Sequence, residues 1–203
     1  MEDQLDDVVE LENPKAIRAI AHPARLIVIE ALYDQNRELT ATQAAELANT
    51  SPSAMSYHLR SLERFGIVRR APATGDARER PWTRAAKDLR IRPDLAATSR
   101  AVSLATSAVL ATAMDVTRHR LLSALERRDN DTAQPLDGVT RYMHTSVLVN
   151  ADEAQALLQS ITDLVAPWRI EARTDAPDDA GSLTIVVASV PDSEARASVP
   201  PTR

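Results

Sequence analysis

Apolar residues recur with helical spacing in two short runs between Leu39 and Arg70. The first run follows Thr40 and Gln43, whose three-residue separation fits a capping box at the start of a helix. The apolar positions of this run are Ala44, Ala45, Leu47 and Ala48. Positions at this spacing share one face of a helix, so the pattern predicts a short helix that ends near Asn49.

The second run carries its own start and stop signals. Ser51 can cap a helix, and Pro52 suits the first helical position because the amide that proline lacks would have no partner there. Gly66 fits a left-handed cap at the end. The inward-facing positions are Met55, Leu59 and Leu62. Two short helices joined by a tight turn predict a helix-turn-helix, whose second helix enters the major groove of DNA.

The opposite face of the second helix is then exposed. It combines small side chains that permit close approach to base edges with an aromatic ring and arginines that can contact phosphate or guanine. The predicted DNA-binding residues of the two helices are Thr40, Ser51, Ser53, Ala54, Ser56, Tyr57, Arg60 and Arg64. An ordinary helical hairpin with a polar face is the alternative interpretation.

A β-hairpin is predicted directly after the second helix. Residues 67–71 have strand character, residues 72–76 carry turn-forming side chains, and residues 78–83 can return as a second strand. A hairpin at this position is the wing of a winged helix, and its arginines would lie near the DNA backbone or minor groove. These arginines are Arg69, Arg70, Arg78 and Arg80. We interpret Trp82 as the hydrophobic anchor of the wing.

The distribution of charge changes what the total suggests. The chain has 203 residues and a formal net charge of −5. Residues 51–92 nevertheless hold ten Lys and Arg against four Asp and Glu, whereas residues 1–50 hold four against ten. Only the docking face of a DNA-binding protein needs to be positive, so the basic block fits a phosphate-contacting surface. A solvated charged surface without a partner is the alternative.

Residues 94–128 lack glycine and proline and predict one long helix that begins just after Pro93. Such a helix would be about 50 Å long, too long to bury its apolar stripe against a small domain alone. The stripe repeats every seven residues, which favours a partner helix from a second subunit over the alternative of an intramolecular bundle. The predicted dimerisation residues are Leu95, Val102, Val109, Val116 and Leu121.

The rest of the C-terminal half predicts a small β-α-β element. Strands are expected at residues 140–149 and 183–190, on either side of a helix at residues 152–165. This element could cap the dimer or bind a small apolar ligand, and we favour capping.

The predicted fold class is therefore mainly α with small β. It combines an N-terminal winged helix-turn-helix, a long dimerisation helix and the C-terminal β-α-β element. The expected regions are a flexible acidic N terminus at 1–13, the winged helix-turn-helix at 14–92, the long helix at 93–130, a small α+β element at 131–191 and a disordered tail at 192–203.

Candidate catalytic and metal-binding residues are few. The chain has no cysteine, which excludes disulfides, thiolate metal sites and thiol nucleophiles. Asp115 and His119 could hold a metal ion across a dimer, but we favour a surface ion pair. His58 is interpreted as a packing residue rather than a base-reading one. Because no phosphate loop or catalytic arrangement is identifiable, we predict neither an enzyme nor a cofactor.

Membrane and export signals also bear on the class of protein. No apolar run is long enough to span a bilayer, and the acidic N terminus has the wrong charge for a secretory signal. We therefore expect a cytoplasmic protein without membrane contacts.

Three separated motifs resemble the ArsR-like winged-helix transcriptional regulators. In order, they are AHPARL at residues 21–26, SAMSYHLRSLERFGIV at residues 53–68 and GDARER at residues 75–80. The resemblance implies a homodimer that binds an imperfect palindrome in double-stranded DNA, usually as a repressor released by a small-molecule effector. Metal-sensing members carry a cysteine pair in the first helix of the motif or His/Asp ligands on a terminal helix. Because this chain has no cysteine, metal sensing through thiolates is excluded here. The C-terminal half is also longer than the usual dimerisation helix, which leaves the effector open.

The sequence thus predicts a dimeric, sequence-specific DNA-binding transcriptional regulator that acts as a repressor and responds to an unidentified effector. The alternative from another class is a winged-helix protein-interaction module that does not bind DNA. The basic block argues against that alternative.

Overall fold

The structure is a computed structural model that describes residues 6–72, 80–91, 100–128, 136–170 and 172–191. The described helices and strands are β1 (Asp6–Leu11), α1 (Pro14–Ile20), α2 (Pro23–Tyr33), α3 (Ala41–Leu47), α4 (Pro52–Glu63), β2 (Val68–Arg70), β3 (Trp82–Arg84), β4 (Ala86–Ile91), α5 (Arg100–Arg128) and α6 (Ala151–Val165). Short 3-10 turns occupy Asp137–Val139 and Ala166–Trp168. The predicted mainly α fold with a winged helix-turn-helix is confirmed.

Each of the first four helices begins at a polar side chain that accepts a hydrogen bond from a backbone amide of the first turn. These caps are Asn13, His22, Thr40 and Ser51. The capping box of Thr40 with Gln43 forms as the sequence predicts. Because the first amides of a helix have no partner within it, the caps fix where each helix starts. The cap at His22 was not predicted.

The hydrophobic core lies among α1, α2, α4, the wing strands and the first half of α5. Its side chains below 2% exposure include Ile17, Val28, Leu32, Met55, Leu59, Leu62, Ile67 and Trp82. The Tyr33 hydroxyl donates to the Ile67 carbonyl, so α2 is also bonded to the chain that leaves α4. Burial of this set fixes the position of α4 relative to α2.

The predicted wing is present as an antiparallel pair, β2 and β3, with Arg69 opposite Thr83. Leu39 extends the pair, because its amide and carbonyl exchange hydrogen bonds with those of Trp82. The Trp82 side chain is 1% exposed, which confirms its interpretation as the anchor of the wing. The tip at residues 73–79 lies outside the described residues.

The prediction of a flexible N terminus is wrong for residues 6–11. These residues form β1, which pairs in parallel with β4 from Asp6 opposite Ala86 to Leu11 opposite Ile91. Leu11 is 2% exposed and closes one end of the core. The Lys87 ammonium donates to the Asp7 carboxylate at 2.8 Å, so the acidic strand is matched to a basic one. Neither this pairing nor β4 was predicted, because partners eighty residues apart leave no local signal.

The long helix is confirmed for its described part, α5 at Arg100–Arg128. It packs along α1, and Arg120 forms an ion pair with Glu30 of α2. The predicted start at residues 94–99, which includes Leu95, lies outside the described residues. None of the described helices combines the length and apolarity that crossing a membrane requires.

The C-terminal β-α-β prediction is correct for the helix and wrong for the strands. The helix is α6, capped by a box between Asn150 and Glu153. Residues 140–149 and 183–190 form no strand, and nearly all of them are exposed. A strand is held by a hydrogen-bonded neighbour and a buried face, and these described segments lack both. The predicted tail at 192–203 lies outside the described residues.

Candidate nucleic-acid interface

The candidate interface is built on the turn between α3 and α4. Asn49 adopts a left-handed backbone, φ 48°, and the Thr50 amide donates to the Ala45 carbonyl at 2.9 Å. Ser51 then accepts from the Ala54 amide at 3.2 Å and starts α4. Asparagine tolerates the left-handed region better than most residues, so it can reverse the chain within a few positions. The two helices are thereby held as a helix-turn-helix.

The two faces of α4 differ as the sequence predicts. Met55, Leu59 and Leu62 are fully buried at 0% exposure. Tyr57 is 65% exposed on the opposite side. Gly66 ends the turn after α4 with φ 66°, as predicted from its position. An apolar inner face and a polar outer face are the arrangement of a helix that lies on the protein surface and presents one side to a partner.

The predicted DNA-binding residues do not all have the same exposure. Those that are exposed are Ser51, Ser53, Tyr57, Arg60, Arg64 and Arg80, and those that are half-buried are Thr40, Ala54, Ser56 and Arg69. The hydroxyls of Thr40 and Ser51 accept capping hydrogen bonds from backbone amides. Arg78 lies outside the described residues. The residues that α4 presents most openly are therefore Ser53, Tyr57 and Arg60, with Arg64 just beyond its end.

The wing arginines are used more within the protein than the sequence suggests. Arg80 donates to the Ala71 carbonyl from two of its guanidinium nitrogens, at 3.3 and 2.9 Å. Arg70 lies over the Trp82 ring, 3.9 Å from its centroid, and donates to the Arg80 carbonyl. These contacts brace the two strands against each other. Arg70 and Arg80 therefore have a structural role in the wing that the sequence did not indicate. Each guanidinium keeps further N–H donors, so the predicted DNA contacts of these two arginines stay a prediction.

The half-buried cluster behind α4 consists of His22, Arg25 and His58. The Arg25 Nε donates to His58 Nδ1 at 3.2 Å, and its Nη1 donates to the Ala19 carbonyl at 2.7 Å. The two imidazole centroids are 4.4 Å apart. His22 Nδ1 accepts from the Ala24 amide at 3.2 Å. Interpreting His58 as a packing residue thus agrees with its position, whereas the roles of His22 and Arg25 were missed.

The environment of this cluster disfavours protonation of both rings. Burial lowers the pKa of His22, and the Arg25 charge lowers it further. Burial likewise lowers the pKa of His58, with smaller contributions from His22 and Arg25. A histidine that follows a helix-ending segment and precedes proline, as His22 does, is a signal for an N-cap that could have identified part of the cluster.

The predicted dimerisation residues of α5 fall on two faces. Val102, Val109 and Val116 are buried at 8–9% exposure within the single chain. Val102 and Val109 belong to the core that includes α1. Assigning these valines to a subunit interface is therefore corrected, since a side chain already covered by its own chain offers little surface to a second one. Leu121 is half-buried and lies toward the other side of the helix.

The opposite face of α5 carries a second set of apolar residues. These are Leu104, Leu110, Met114 and Leu122, with exposed fractions of 38–56%. At 3.6 residues per turn they centre about half a turn from the buried valines. The helix thus has two apolar sides, one that packs on α1 and one that the described part of the chain leaves uncovered.

Metal ligation finds little support in the described residues. They contain no group of three or more His, Cys, Asp or Glu side chains that could hold an ion. Asp115 forms a surface ion pair, but its partner is Arg118 at 3.9 Å rather than the predicted His119.

Comparisons with known proteins support the helix-turn-helix. Residues 20–71 match a family model described as a helix-turn-helix domain. No curated protein matches the chain. A MarR family protein from Mycobacterium tuberculosis, solved in complex with salicylic acid, is 19% identical over 74% of this chain and 85% of its own, with a TM-score of 0.29. A TM-score of this size does not indicate a shared overall arrangement. The helix-turn-helix match supports a DNA-binding transcription regulator as the class of protein, and leaves its subtype open.

Proposed function

We propose that this protein is a dimeric transcriptional regulator of the ArsR-like type, which binds double-stranded DNA through α4. The observation that carries the proposal is the outer face of α4, where Ser53, Tyr57 and Arg60 are exposed directly opposite a fully buried apolar face. A helix held so firmly from behind can present its outer side chains to the major groove without rearranging.

The charge around α4 supports DNA over a protein partner. Arg60 and Arg64 are exposed at the C-terminal end of the helix, within the block of residues 51–92 that carries ten basic and four acidic residues. Part of that block is already neutralised, because Lys87 pairs with Asp7 and Arg90 pairs with Asp88. Arg60 and Arg64 are the exposed basic residues at α4 itself, where phosphate contacts would position the helix.

Dimerisation is proposed through the uncovered face of α5. Leu104, Leu110, Met114 and Leu122 are the large apolar residues exposed on it. Burying such a stripe against the same stripe of a second chain would give a two-fold symmetric pair. Two recognition helices about 34 Å apart would then meet successive major grooves of an imperfect palindrome.

Repression and release by a small-molecule effector are proposed from the resemblance to ArsR-like regulators. An effector that changes how the α5 helices pack would change the separation of the two α4 helices, and thereby the affinity for DNA. Because the chain lacks cysteine, the effector would not be a metal ion bound through thiolates.

The test is fluorescence anisotropy of the purified protein on its own upstream DNA and on a scrambled duplex, at about 50 mM and about 200 mM salt. The variant is Arg60→Ala. Arg118→Ala, which removes an exposed arginine from α5, is the matched control. We expect preference for the upstream duplex, weaker binding at high salt, and a loss of about 1–3 kcal/mol in Arg60→Ala alone.

Two outcomes would count against the proposal. Equal affinity for both duplexes, unchanged by Arg60→Ala, would favour the protein-interaction module. A particle of 22.2 kDa in sedimentation at micromolar concentration would contradict the dimer. Replacing Leu110 and Met114 by Glu should give that monomer and leave the helical content intact.

A further inference from the structure

The recognition helix α4 is tied to the rest of the domain by a polar contact as well as by its apolar face. Arg25 of α2 donates both to His58 of α4, at 3.2 Å, and to the Ala19 carbonyl at the end of α1, at 2.7 Å. One guanidinium therefore joins three helices. His58 lies one residue from Tyr57, whose ring meets it edge-on at a centroid distance of 5.8 Å.

The hydrogen bonds of the cluster specify the protonation state of both rings. His58 Nδ1 accepts from Arg25, and His22 Nδ1 accepts from the Ala24 amide as the cap of α2. A nitrogen that accepts carries no proton, so each ring is neutral with its proton on Nε2. Protonation of either Nδ1 would remove an acceptor and set two donors against each other.

The charges around the cluster would add to this effect. The groups that act on the rings are Arg25 from α2, each ring on the other, and Tyr57 at the edge of His58. A proton on both rings would place three positive charges within contact distance. Repulsion between such groups is strong where they are partly shielded from water.

We propose that His22, Arg25 and His58 form a proton-sensitive brace that positions α4, so that acidification below neutral pH loosens the recognition helix and releases DNA. His58 is on this view a positioning residue that does not read bases. The inference rests on the proposed DNA binding, and it adds a regulatory input that acts without the unidentified effector. Histidine is suited to it because its charge changes between about pH 5 and 8.

The direction of the pH effect follows from the lowered pKa values of the two rings. A histidine whose pKa is lower in the folded state stabilises that state above its ordinary pKa of 6.5. The stabilisation is lost as the pH falls below 6.5 through the lowered values. Protonation of histidines outside the brace would make the protein more positive, and this charge alone would strengthen DNA binding as the pH falls. The two explanations therefore differ in sign.

The experiment compares DNA affinity at about pH 7.5 and about pH 5.5 for three proteins. They are the wild type, the double variant His22→Asn with His58→Asn, and the control His119→Asn. Asparagine keeps an acceptor where Nδ1 lies and caps helices well, but it does not titrate. His119 is exposed on α5 and is not part of the brace.

We expect the wild type and His119→Asn to lose affinity on the order of tenfold at the lower pH, within the usual range for coupling between two sites, because protonation removes the acceptors that hold the brace. The double variant should keep its affinity or bind slightly more tightly. Circular dichroism at both pH values establishes that each protein stays folded. A parallel response of the wild type and the double variant, or tighter wild-type binding at about pH 5.5, would overturn the proposal.

A second measurement separates this inference from the proposed function. If the wild type binds no DNA at about pH 7.5, the proposed function fails. Thermal unfolding of the same three proteins then tests whether the brace is sensitive to protons. A larger fall in Tm with acidification for the wild type than for the double variant would support a proton-sensitive brace. Equal falls would refute it.

Discussion

Two amphipathic helices of similar length, α4 with 12 residues and α6 with 15, differ in what covers their apolar faces. Both begin at a side-chain cap, Ser51 and Asn150 respectively. Met55, Leu59 and Leu62 of α4 are 0% exposed, whereas α6 has no buried residue and its Leu164 is 72% exposed. Local signals therefore start a helix in either setting, whereas the covering of its apolar face depends on distant elements.

The surroundings of the two helices explain the difference. Helix α4 packs against α1, α2, α3 and β2. Helix α6 adjoins only its own 3-10 extension among the stronger contacts of the described chain. An isolated helix of this length is marginal in water, so α6 depends for its stability on whatever covers it.

The largest expected effect comes from truncating the same residue type in the two helices. Leu59→Ala should lower the free energy of unfolding by about 2–5 kcal/mol, because it removes a fully buried side chain and leaves a cavity. Leu164→Ala should change it by less than about 0.5 kcal/mol. Urea unfolding at one protein concentration measures both. Similar losses would show that Leu164 is covered in solution and that α6 is packed as α4 is.

The contact between the end of α5 and the turn at Asp137–Val139 should give the next largest effect. Asp137, 5% exposed, accepts two hydrogen bonds from Arg127 at 3.0 and 2.8 Å, and this pairing raises the pKa of Arg127. Asp137→Ala should destabilise the end of α5 and the turn at Asp137–Val139, because Arg127 loses the acceptor of two hydrogen bonds. Hydrogen exchange should accelerate at the end of α5 and not in α4. Faster exchange throughout α4 would show that the two regions unfold together.

The capping boxes allow a smaller and more local comparison. Thr40→Ala should cost about 0.5–2 kcal/mol of domain stability, because the Gln43 amide loses its acceptor. Asn150→Ala removes the same kind of bond from α6. It should reduce helical content in circular dichroism and leave the main unfolding midpoint unchanged. A shift of that midpoint by Asn150→Ala would couple α6 to the core.

The smallest expected effect concerns two glycines. Gly66 has φ 66° and nothing within 4 Å of the position of a Cβ atom, so Gly66→Ala tests backbone strain alone. We expect a loss of about 1 kcal/mol, since an L residue is strained there. Gly138 also has open space and no such φ, so Gly138→Ala should be neutral or slightly stabilising. Thermal unfolding distinguishes the two. Equal effects would contradict the strain argument.

The candidate site could be predicted from sequence to the extent that it depends on neighbours along the chain. The caps at Thr40 and Ser51, the inward residues of α4 and the left-handed Gly66 follow from spacing within single turns of helix, and all are present. The brace of Arg25 to His58 spans 33 positions, and the donors of Arg80 find the Ala71 carbonyl only once the wing has formed. No local pattern contains these contacts.

Sequence alone was enough to predict helices α3 to α6, the caps at Thr40 and Ser51, the buried face of α4 and the anchoring of Trp82, because each depends on side-chain type and periodicity over a few residues. Tertiary contacts were needed to pair β1 with β4, to place Val102 and Val109 of α5 in the core that includes α1, and to join the wing strands through Arg70 and Arg80. The tertiary structure also decided that residues 140–149 and 183–190 stay unpaired. Alternation of apolar residues sets which side of a segment can be buried, but burial itself requires a second surface, and that surface comes from residues far away in the chain.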